Sequence, residues 1–207
     1  MEILEKWLSA WSISRELPLP TKFKSGYKVD VGYEKQKVRY VFAEPNNDFI
    51  QLSETISENW IFLKVCASPA EIKNKIPEKW VIQPQGYMMS CASPMNIPGK
   101  SLPDGYKLVF DSYKSTSVVN VVANDGELAA TGRVVIVGDL AVYDRISTAE
   151  NHQRKGLATF LIKELEQIAI SKNVNQNFLV ATELGKVLYQ SLGWNICSLY
   201  TSVVIPP

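Results

Sequence analysis

Hydrophobic residues recur along the chain with two different periods, and these periods predict its helices and strands. Near the N-terminus the large apolar residues stand three and four positions apart, which predicts a helix that ends before Pro18. This spacing is carried by Leu4, Trp7, Leu8 and Trp11. Runs rich in Val, Tyr and Phe predict short strands at 27–31, 37–43, 60–66 and 85–90. The Pro-Asn-Asn-Asp run at 45–48 predicts a turn, and Ser68 with Pro69 predicts the start of a short helix.

The second half of the chain begins with alternating strands and then changes to a helical period. Strands are expected at 106–110, 118–123, 127–137 and 140–148, and the last three form an antiparallel meander around an Asn-Asp-Gly turn. Gly132 is a candidate β-bulge within the longest of these strands. A helix to about Lys172, a strand at 178–182, a helix at 183–192 ended by Gly193, and a strand at 194–205 follow. This order predicts the α+β class with a mixed, largely antiparallel sheet flanked by helices.

Proline and glycine concentrate between residues 93 and 105, near the middle of the chain. Such a stretch is typical of a connection between two compact units. We therefore expect an N-terminal α/β half at 1–100 and a second half at 101–207.

The composition excludes several classes of function. The 207 residues include 22 Lys and Arg against 21 Asp and Glu, a formal net charge of +1, which argues against nucleic-acid and membrane-surface binding. His152 is the only histidine and the three cysteines form no Cys-x-x-Cys pair, so no metal site is expected. An odd number of separated cysteines, with neither a basic leader nor a long apolar run, predicts a cytoplasmic location.

The segment 152–158 is the first candidate for chemistry, because it places Arg154, Lys155 and Gly156 where a strand gives way to a helix. Unpaired backbone N–H groups and the helix dipole favour an anion at a helix N-terminus. Gly156 lets the backbone approach a ligand closely. A cationic loop that merely precedes a helix is an equally good interpretation of these residues alone.

Two motifs together resemble the GCN5-related N-acetyltransferase (GNAT) superfamily. The first is Gln-x-x-Gly-x-Ala at 153–158, which is similar to the acetyl-CoA-binding motif of that family. The second is Leu-Tyr-x-x-Leu-Gly-Trp at 188–194, which resembles the family's helix after its fifth strand. The resemblance covers about 106–207 and implies the acyl-CoA N-acyltransferase fold with acetyl-CoA as co-substrate and no metal.

The resemblance also implies which residues bind acetyl-CoA. Backbone N–H groups after Gln153 would hold the pyrophosphate, and they belong to Arg154, Lys155, Gly156, Leu157, Ala158 and Thr159. The strand end Ile146-Ser147-Thr148 would pair with the pantetheine arm, and an amide near Ser147 or Thr148 would polarise the thioester carbonyl. Thr182 stands where the family often has an asparagine that touches the cofactor.

Two residues match the family's acid and base positions. Tyr189 would protonate the departing thiolate, although a core aromatic is the alternative interpretation. Asp144 would accept the proton of the amine, directly or through water, although a strand carboxylate paired with Arg133 or Arg145 fits equally well. His152 is interpreted as a loop-packing residue.

The resemblance further implies a division of labour between the halves. The seven residues between Phe110 and Val118 are too few for the helices that usually line the acceptor pocket, so the first hundred residues must supply that wall. Since no Gln/Arg-x-x-Gly-x-Gly/Ala element precedes residue 150, the N-terminal half is interpreted as a degenerate copy, with one CoA site in the chain. The expected function is transfer of acetyl from acetyl-CoA to a primary amine of a small molecule or peptide, by direct attack in a ternary complex. A non-catalytic acyl-CoA-binding or sensory module remains the alternative, and self-association as a homodimer is left open.

Overall fold

The computed structural model describes residues 2–97, 99 and 101–207. The N-terminal half of the chain alternates short helices and strands. In chain order these are α1 Ile3–Ser14, β1 Thr21–Phe23, β2 Gly26–Tyr33, β3 Gln36–Phe42, α2 Asn47–Thr55, β4 Ile61–Val65, α3 Pro69–Ile72, β5 Val81–Ile82 and β6 Gly86–Ala92.

The C-terminal half begins with a four-stranded meander and ends in alternating helices and strands. Its elements are β7 Tyr106–Tyr113, β8 Thr116–Ala123, β9 Leu128–Val137, β10 Leu140–Thr148, α4 Leu157–Ser171, β11 Gln176–Ala181, α5 Glu183–Ser191 and β12 Asn195–Val204. A single 3₁₀ turn at Glu150–His152 leads into α4. The strands and helices predicted from the hydrophobic periods are confirmed, with boundary shifts of a few residues.

Two predictions of local structure were wrong. The run at 45–48 is the start of α2, because the Asn46 side chain accepts a hydrogen bond from the Phe49 amide at 3.2 Å and caps the helix. Gly132 is not itself a bulge, since the extra residue lies opposite it, at Arg145 and Ile146 of β10. A β-carbon on Gly132 would lie 3.0 Å from side-chain atoms of α4, so glycine is needed there for close helix packing.

The strands form one 12-stranded sheet in which the two halves exchange their last strands. Its order is β1-β2-β3-β4-β12-β6-β11-β10-β9-β8-β7, with β5 paired to β12. Strand β6 of the N-terminal half pairs with β11, and strand β12 of the C-terminal half pairs with β4. The pairing of β6 with β12 then joins the two parts at the centre of the sheet.

Both halves follow the same order of elements. A hairpin, a helix, a strand parallel to the second hairpin strand, a further helix and a final strand occur as β2-β3-α2-β4-α3-β6 and again as β9-β10-α4-β11-α5-β12, with the short β5 interposed in the first series. The parallel neighbours are β3 with β4 and β10 with β11. The division of the chain near residue 100 stays a prediction, because the exchanged strands distribute each half over both parts of the sheet.

Helices cover both faces of the sheet. Strands β7 and β8 are joined by a tight turn between Tyr113 and Thr116, which leaves no room for a helix there. Helix α1 covers one face of the sheet instead. It packs there in a buried cluster that joins Leu4, Trp7, Leu8 and Trp11 to Val135, Leu140, Val142 and Phe178. On the opposite face α4 packs through Leu161, Ile162, Leu165 and Ala169. None of the helices in the described part of the chain is long and apolar enough to cross a membrane.

Candidate functional site

A cleft opens where the parallel strands β10 and β11 separate. Their pairing ends at Val142 with Phe178, and beyond this point both strands line a cavity of about 660 Å³. The bulge in β10 contributes to the separation, since Arg145 has a φ of 51° and neither it nor Ile146 has a ladder partner on β9. Main-chain groups of a bulge can face a ligand, because they are not all used by the ladder.

The loop that follows β10 and precedes α4 forms a second, cationic concavity. Gly156 is the N-cap of α4 with φ 78°, and Arg154 also has a positive φ of 63°. The first amide that is hydrogen-bonded within the helix belongs to Phe160, which donates to the Gly156 carbonyl at 3.1 Å. The preceding amides of the first turn are therefore available to an anion. A pocket of about 300 Å³ lies here and is lined by Ile97, Ser101, Pro103, Arg154, Lys155, Gly156, Thr159, Phe160 and Lys163.

Lys163 and three residues of the connection, Ile97, Ser101 and Pro103, were missed in the sequence. Lys163 follows Thr159 by one helical turn, so both side chains lie on the same face of α4. The spacing was visible, but only the structure shows that this face looks onto the pocket. Ile97 and Ser101 come from the connection between the halves, and the sequence gives no sign of where that connection runs.

A hydrogen-bonded network supports the loop from below. His152 is 7% exposed, and its Nδ1 shares a hydrogen bond of 2.8 Å with the hydroxyl of Tyr106. Its Nε2 lies 3.1 Å from Glu127, whose pKa is lowered by hydrogen bonds from Asn151 and His152. The Lys155 ammonium donates to the same Tyr106 hydroxyl at 3.0 Å. These contacts agree with a packing role for His152.

The remaining predicted cofactor residues have identifiable positions. Ser147 and Thr148 are back in register with β9, and the Gln153 side chain donates to the Thr148 carbonyl at 3.4 Å. The Leu157 side chain is buried in the core, so only its backbone can face a ligand. Thr182 is the N-cap of α5 and accepts from the Gly185 amide at 3.2 Å.

Tyr189 lines the cavity from α5 and is 7% exposed. Its ring packs beside Trp194, with centroids 5.6 Å apart, and above Gly185, where a β-carbon would lie 3.2 Å from it. Burial raises the pKa of the Tyr189 hydroxyl, and the negative charge of Asp144 raises it further. The hydroxyl therefore keeps its proton at neutral pH and is a proton donor.

Asp144 also lines the cavity, but it is held by the end of α1. The Arg15 guanidinium donates to both carboxylate oxygens, at 2.8 and 3.0 Å, and the Ser14 hydroxyl donates at 2.7 Å. The predicted alternative partners Arg133 and Arg145 do not take this place. Asp144 thus connects helix α1 to the strand that carries the bulge.

The inner wall of the same cavity comes from the N-terminal half, and the residues that form it were not identified from the sequence. It includes Trp7 and Trp11 of α1, Arg39 of β3 and Lys64 of β4. A signal existed for Lys64, because it interrupts the otherwise apolar strand β4, whereas β3 already carries Gln36 and Lys37 before Arg39. Among the residues that the structure describes, no group of three or more His, Cys, Asp or Glu side chains could hold a metal ion.

The sequence of the chain is similar to that of a known protein family. The family model described as acetyltransferase (GNAT) family matches residues 90–194. No curated protein sequence matches the chain.

Solved structures share the fold at low sequence identity. A GCN5-related N-acetyltransferase from Kribbella flavida is 14% identical with a TM-score of 0.68, covering 100% of this chain and 97% of its own. One from Sphaerobacter thermophilus is 9% identical with a TM-score of 0.62, covering 88% and 78%. A tandem GNAT protein from the clavulanic acid biosynthesis pathway is 12% identical with a TM-score of 0.55, covering 76% and 68%.

Proposed function

The chain belongs to the acetyltransferase (GNAT) family, whose members are acyltransferases, and we propose that it transfers acetyl from acetyl-CoA to a primary amine of a small molecule or peptide. One observation carries the proposal. The cleft between the separated strands β10 and β11 contains a buried tyrosine and a carboxylate, and β10 continues through a 3₁₀ turn into the cationic N-terminus of α4. An elongated ligand with an anionic end and a reactive end fits this arrangement.

The loop before α4 and the first turn of that helix would bind the CoA phosphates. Backbone N–H groups of Leu157, Ala158 and Thr159 and the side chains of Arg154 and Lys163 supply donors and positive charge. Lys155 is less available to a phosphate, because its ammonium already donates a hydrogen bond to the Tyr106 hydroxyl. The main chain of β10 beyond the bulge would pair with the pantetheine arm.

In the proposed reaction the acceptor nitrogen attacks the acetyl carbonyl, an N–C bond forms and the C–S bond breaks. The amine loses one proton and the thiolate gains one, so the products are an N-acetylated amine and free CoA. Tyr189 would protonate the thiolate, because its hydroxyl carries a proton at neutral pH and lies on the cavity wall; burial raises its pKa and makes it a weaker acid, so the proton transfer would depend on close contact with the sulfur. A main-chain amide of the bulge would polarise the carbonyl, and the residues without a ladder partner are Arg145 and Ile146, just before the predicted Ser147 and Thr148.

Asp144 is the proposed acceptor of the amine proton, because the other carboxylate on the cavity wall, Glu183, is exposed and paired with Lys186. Direct attack is favoured over a cysteinyl acyl-enzyme, because Cys66, Cys91 and Cys197 do not line the cavity. Burial raises the pKa of Cys66 to about 11 and also raises that of Cys91, which makes both thiols weak nucleophiles.

A non-catalytic acyl-CoA-binding module is the second candidate, and one observation favours it. The Arg15 and Ser14 hydrogen bonds already occupy both oxygens of Asp144, so the carboxylate is engaged in a structural contact before any amine arrives. The enzyme and the module differ in whether thiol is released, and this difference can be measured.

The test has a binding arm and a turnover arm. Acetyl-CoA and CoA should both raise the melting temperature, as ligands of the native state do. Lys163→Met should reduce this shift, whereas Lys172→Met at the end of the same helix should leave it unchanged. Release of free thiol across a panel of amines would support the enzyme. Binding without release would support the module, and absence of binding would exclude both.

A further inference from the structure

The inner end of the large cavity contains two buried cations. Arg39 and Lys64 are each 8% exposed, and both point from the sheet toward helix α1. The Arg39 guanidinium lies over the ring of Trp11, 3.7 Å from its centroid, which fixes its position. The Lys64 ammonium donates to the Ser202 hydroxyl and lies 5.6 Å from the ring centroid of Tyr200.

Neither cation has an anionic partner among the described residues. Asp144, the nearest buried carboxylate on the cavity wall, is bound at both oxygens by Arg15. Glu183 is exposed and is held by Lys186 and by the Tyr87 hydroxyl. The Gln36 amide oxygen, when turned toward Arg39, accepts from two of its nitrogens at 3.1 Å, but this acceptor is neutral.

A buried positive charge without a counter-ion is unfavourable, and here the cost shows in the titration of both groups. Burial lowers the pKa of Lys64 well below its ordinary value, and the charges of Arg39 and Arg15 lower it further. Burial also lowers the pKa of Arg39 to about 10. Two such cations in one cavity do not stabilise the fold, so we expect them to serve a function.

A third polar group on the same wall also lacks a partner. Tyr200 is 5% exposed, and its hydroxyl makes no hydrogen bond to any described residue. It lies on β12, two residues from Ser202, so both side chains are on one face of the sheet. Two cations and an unpaired hydroxyl donor therefore line one end of the cavity.

We propose that the acceptor amine also carries an anionic oxygen group, a carboxylate or a phosphate, which is bound by Arg39 and Lys64 with the Tyr200 hydroxyl as a further donor. This inference rests on the proposed acetyl transfer. The amine of the acceptor would lie toward Asp144 and Tyr189, and its anionic group would lie toward the N-terminal half. The N-terminal half thereby selects the acceptor, while the C-terminal half binds acetyl-CoA.

The experiment compares acceptors that differ only in the anionic group. Thiol release is measured with proteinogenic L-amino acids against their carboxamides, with β-alanine against propylamine, and with O-phosphoethanolamine against ethanolamine. The anionic member of at least one series should have a kcat/KM higher by roughly 10- to 100-fold, as expected of charge-assisted hydrogen bonds. The series that shows the preference identifies the group as carboxylate or phosphate.

Lys64→Met and the control Lys37→Met test the residue itself. Lys37 is an exposed lysine on β3 that pairs with Glu58. Lys64→Met should remove the preference for the anionic acceptor mainly through KM, with kcat little changed. It should also raise the melting temperature of the ligand-free protein, because it removes an uncompensated buried charge, whereas a purely structural lysine would give a lower melting temperature. Lys37→Met should change neither quantity.

The outcomes separate this inference from the proposed function. Thiol release with equal use of charged and neutral amines would overturn the inference and leave the acetyl transfer standing. If no amine releases thiol, the same anionic amines and inorganic phosphate are tested for a thermal shift without acetyl-CoA. A shift that Lys64→Met abolishes would support the anion site, and its absence would overturn it.

Discussion

The hydrogen bonds around Asp144 make Asp144→Asn the most informative single substitution. The carboxylate receives two hydrogen bonds from Arg15 and one from Ser14, and the two side chains of the ion pair are only 25% and 11% exposed. Asparagine keeps the size of the side chain but removes the charge and places an amide donor against the Arg15 donors. The end of α1 should then lose its main attachment to β10.

The expected loss can be estimated from this geometry. Removing one partner of a fully buried ion pair destabilises a protein by 3–5 kcal/mol, whereas exposed pairs contribute about 1 kcal/mol or less. Because Arg15 is partly exposed, we expect a decrease of about 2 kcal/mol in the free energy of unfolding. For a chain of this length that corresponds to a melting temperature lower by roughly 4–8 °C.

The assay combines calorimetry with a double-mutant cycle. Asp144→Asn, Arg15→Met and the double variant are melted in parallel, and a coupling free energy above about 1 kcal/mol is expected between the two sites. The pH dependence of kcat/KM is measured on the same proteins. Unchanged stability, with loss of the acidic limb of the pH profile, would refute the attachment role and establish Asp144 as the proton acceptor.

Three further predictions concern other residues of the site. Tyr189→Phe should lower kcat by roughly 100-fold with little change in KM, measured by thiol release, and an unchanged kcat would exclude the acid role. Gly156→Ala should weaken acetyl-CoA binding in calorimetric titration because φ 78° is unfavourable for alanine, whereas Gly126→Ala, at φ 92° in a distant turn, should not. Burial lowers the pKa of Lys64, so between that lowered value and the ordinary 10.5 the unfolded chain binds more protons than the folded one. The stability of the wild type relative to Lys64→Met should therefore rise with pH as 10.5 is approached, by at most about 1.4 kcal/mol per pH unit, and parallel pH curves would contradict this.

The periodic parts of the fold could be predicted from the sequence because their side chains report their own burial. The alternation at 127–137 and the helical spacing of Leu161 and Leu165 indicate one apolar face each, and both elements are present. Helix α2 was missed because Asn46 serves turns and helix caps equally well. Only the hydrogen bond to Phe49 distinguishes the two.

The acceptor side of the site could not be predicted for a different reason. Arg39 and Lys64 lie on the paired strands β3 and β4, whereas Asp144 lies much later in the chain on β10, and the exchange of β6 and β12 joins these two parts of the sheet. A single sequence reports local pattern, not which strands become neighbours. The cofactor loop could be proposed from the sequence, because its residues are contiguous and its backbone conformation depends on its own glycine.

The irregularity in β12 decides which changes of length this strand tolerates. Ile196 pairs with Met89 and Ser198 with Met88, so Cys197 is an extra residue without a partner on β6. Deleting Cys197 would leave the partners of Tyr200 unchanged, whereas deleting Leu199 would shift every later residue to the opposite face. Tyr200 and Ser202 would then leave the cavity while α5 and the loop at Gly156 kept their places. A one-residue deletion beyond the bulge, unlike deletion of Cys197 itself, would therefore remove the proposed acceptor selection and spare the proposed acetyl-CoA binding.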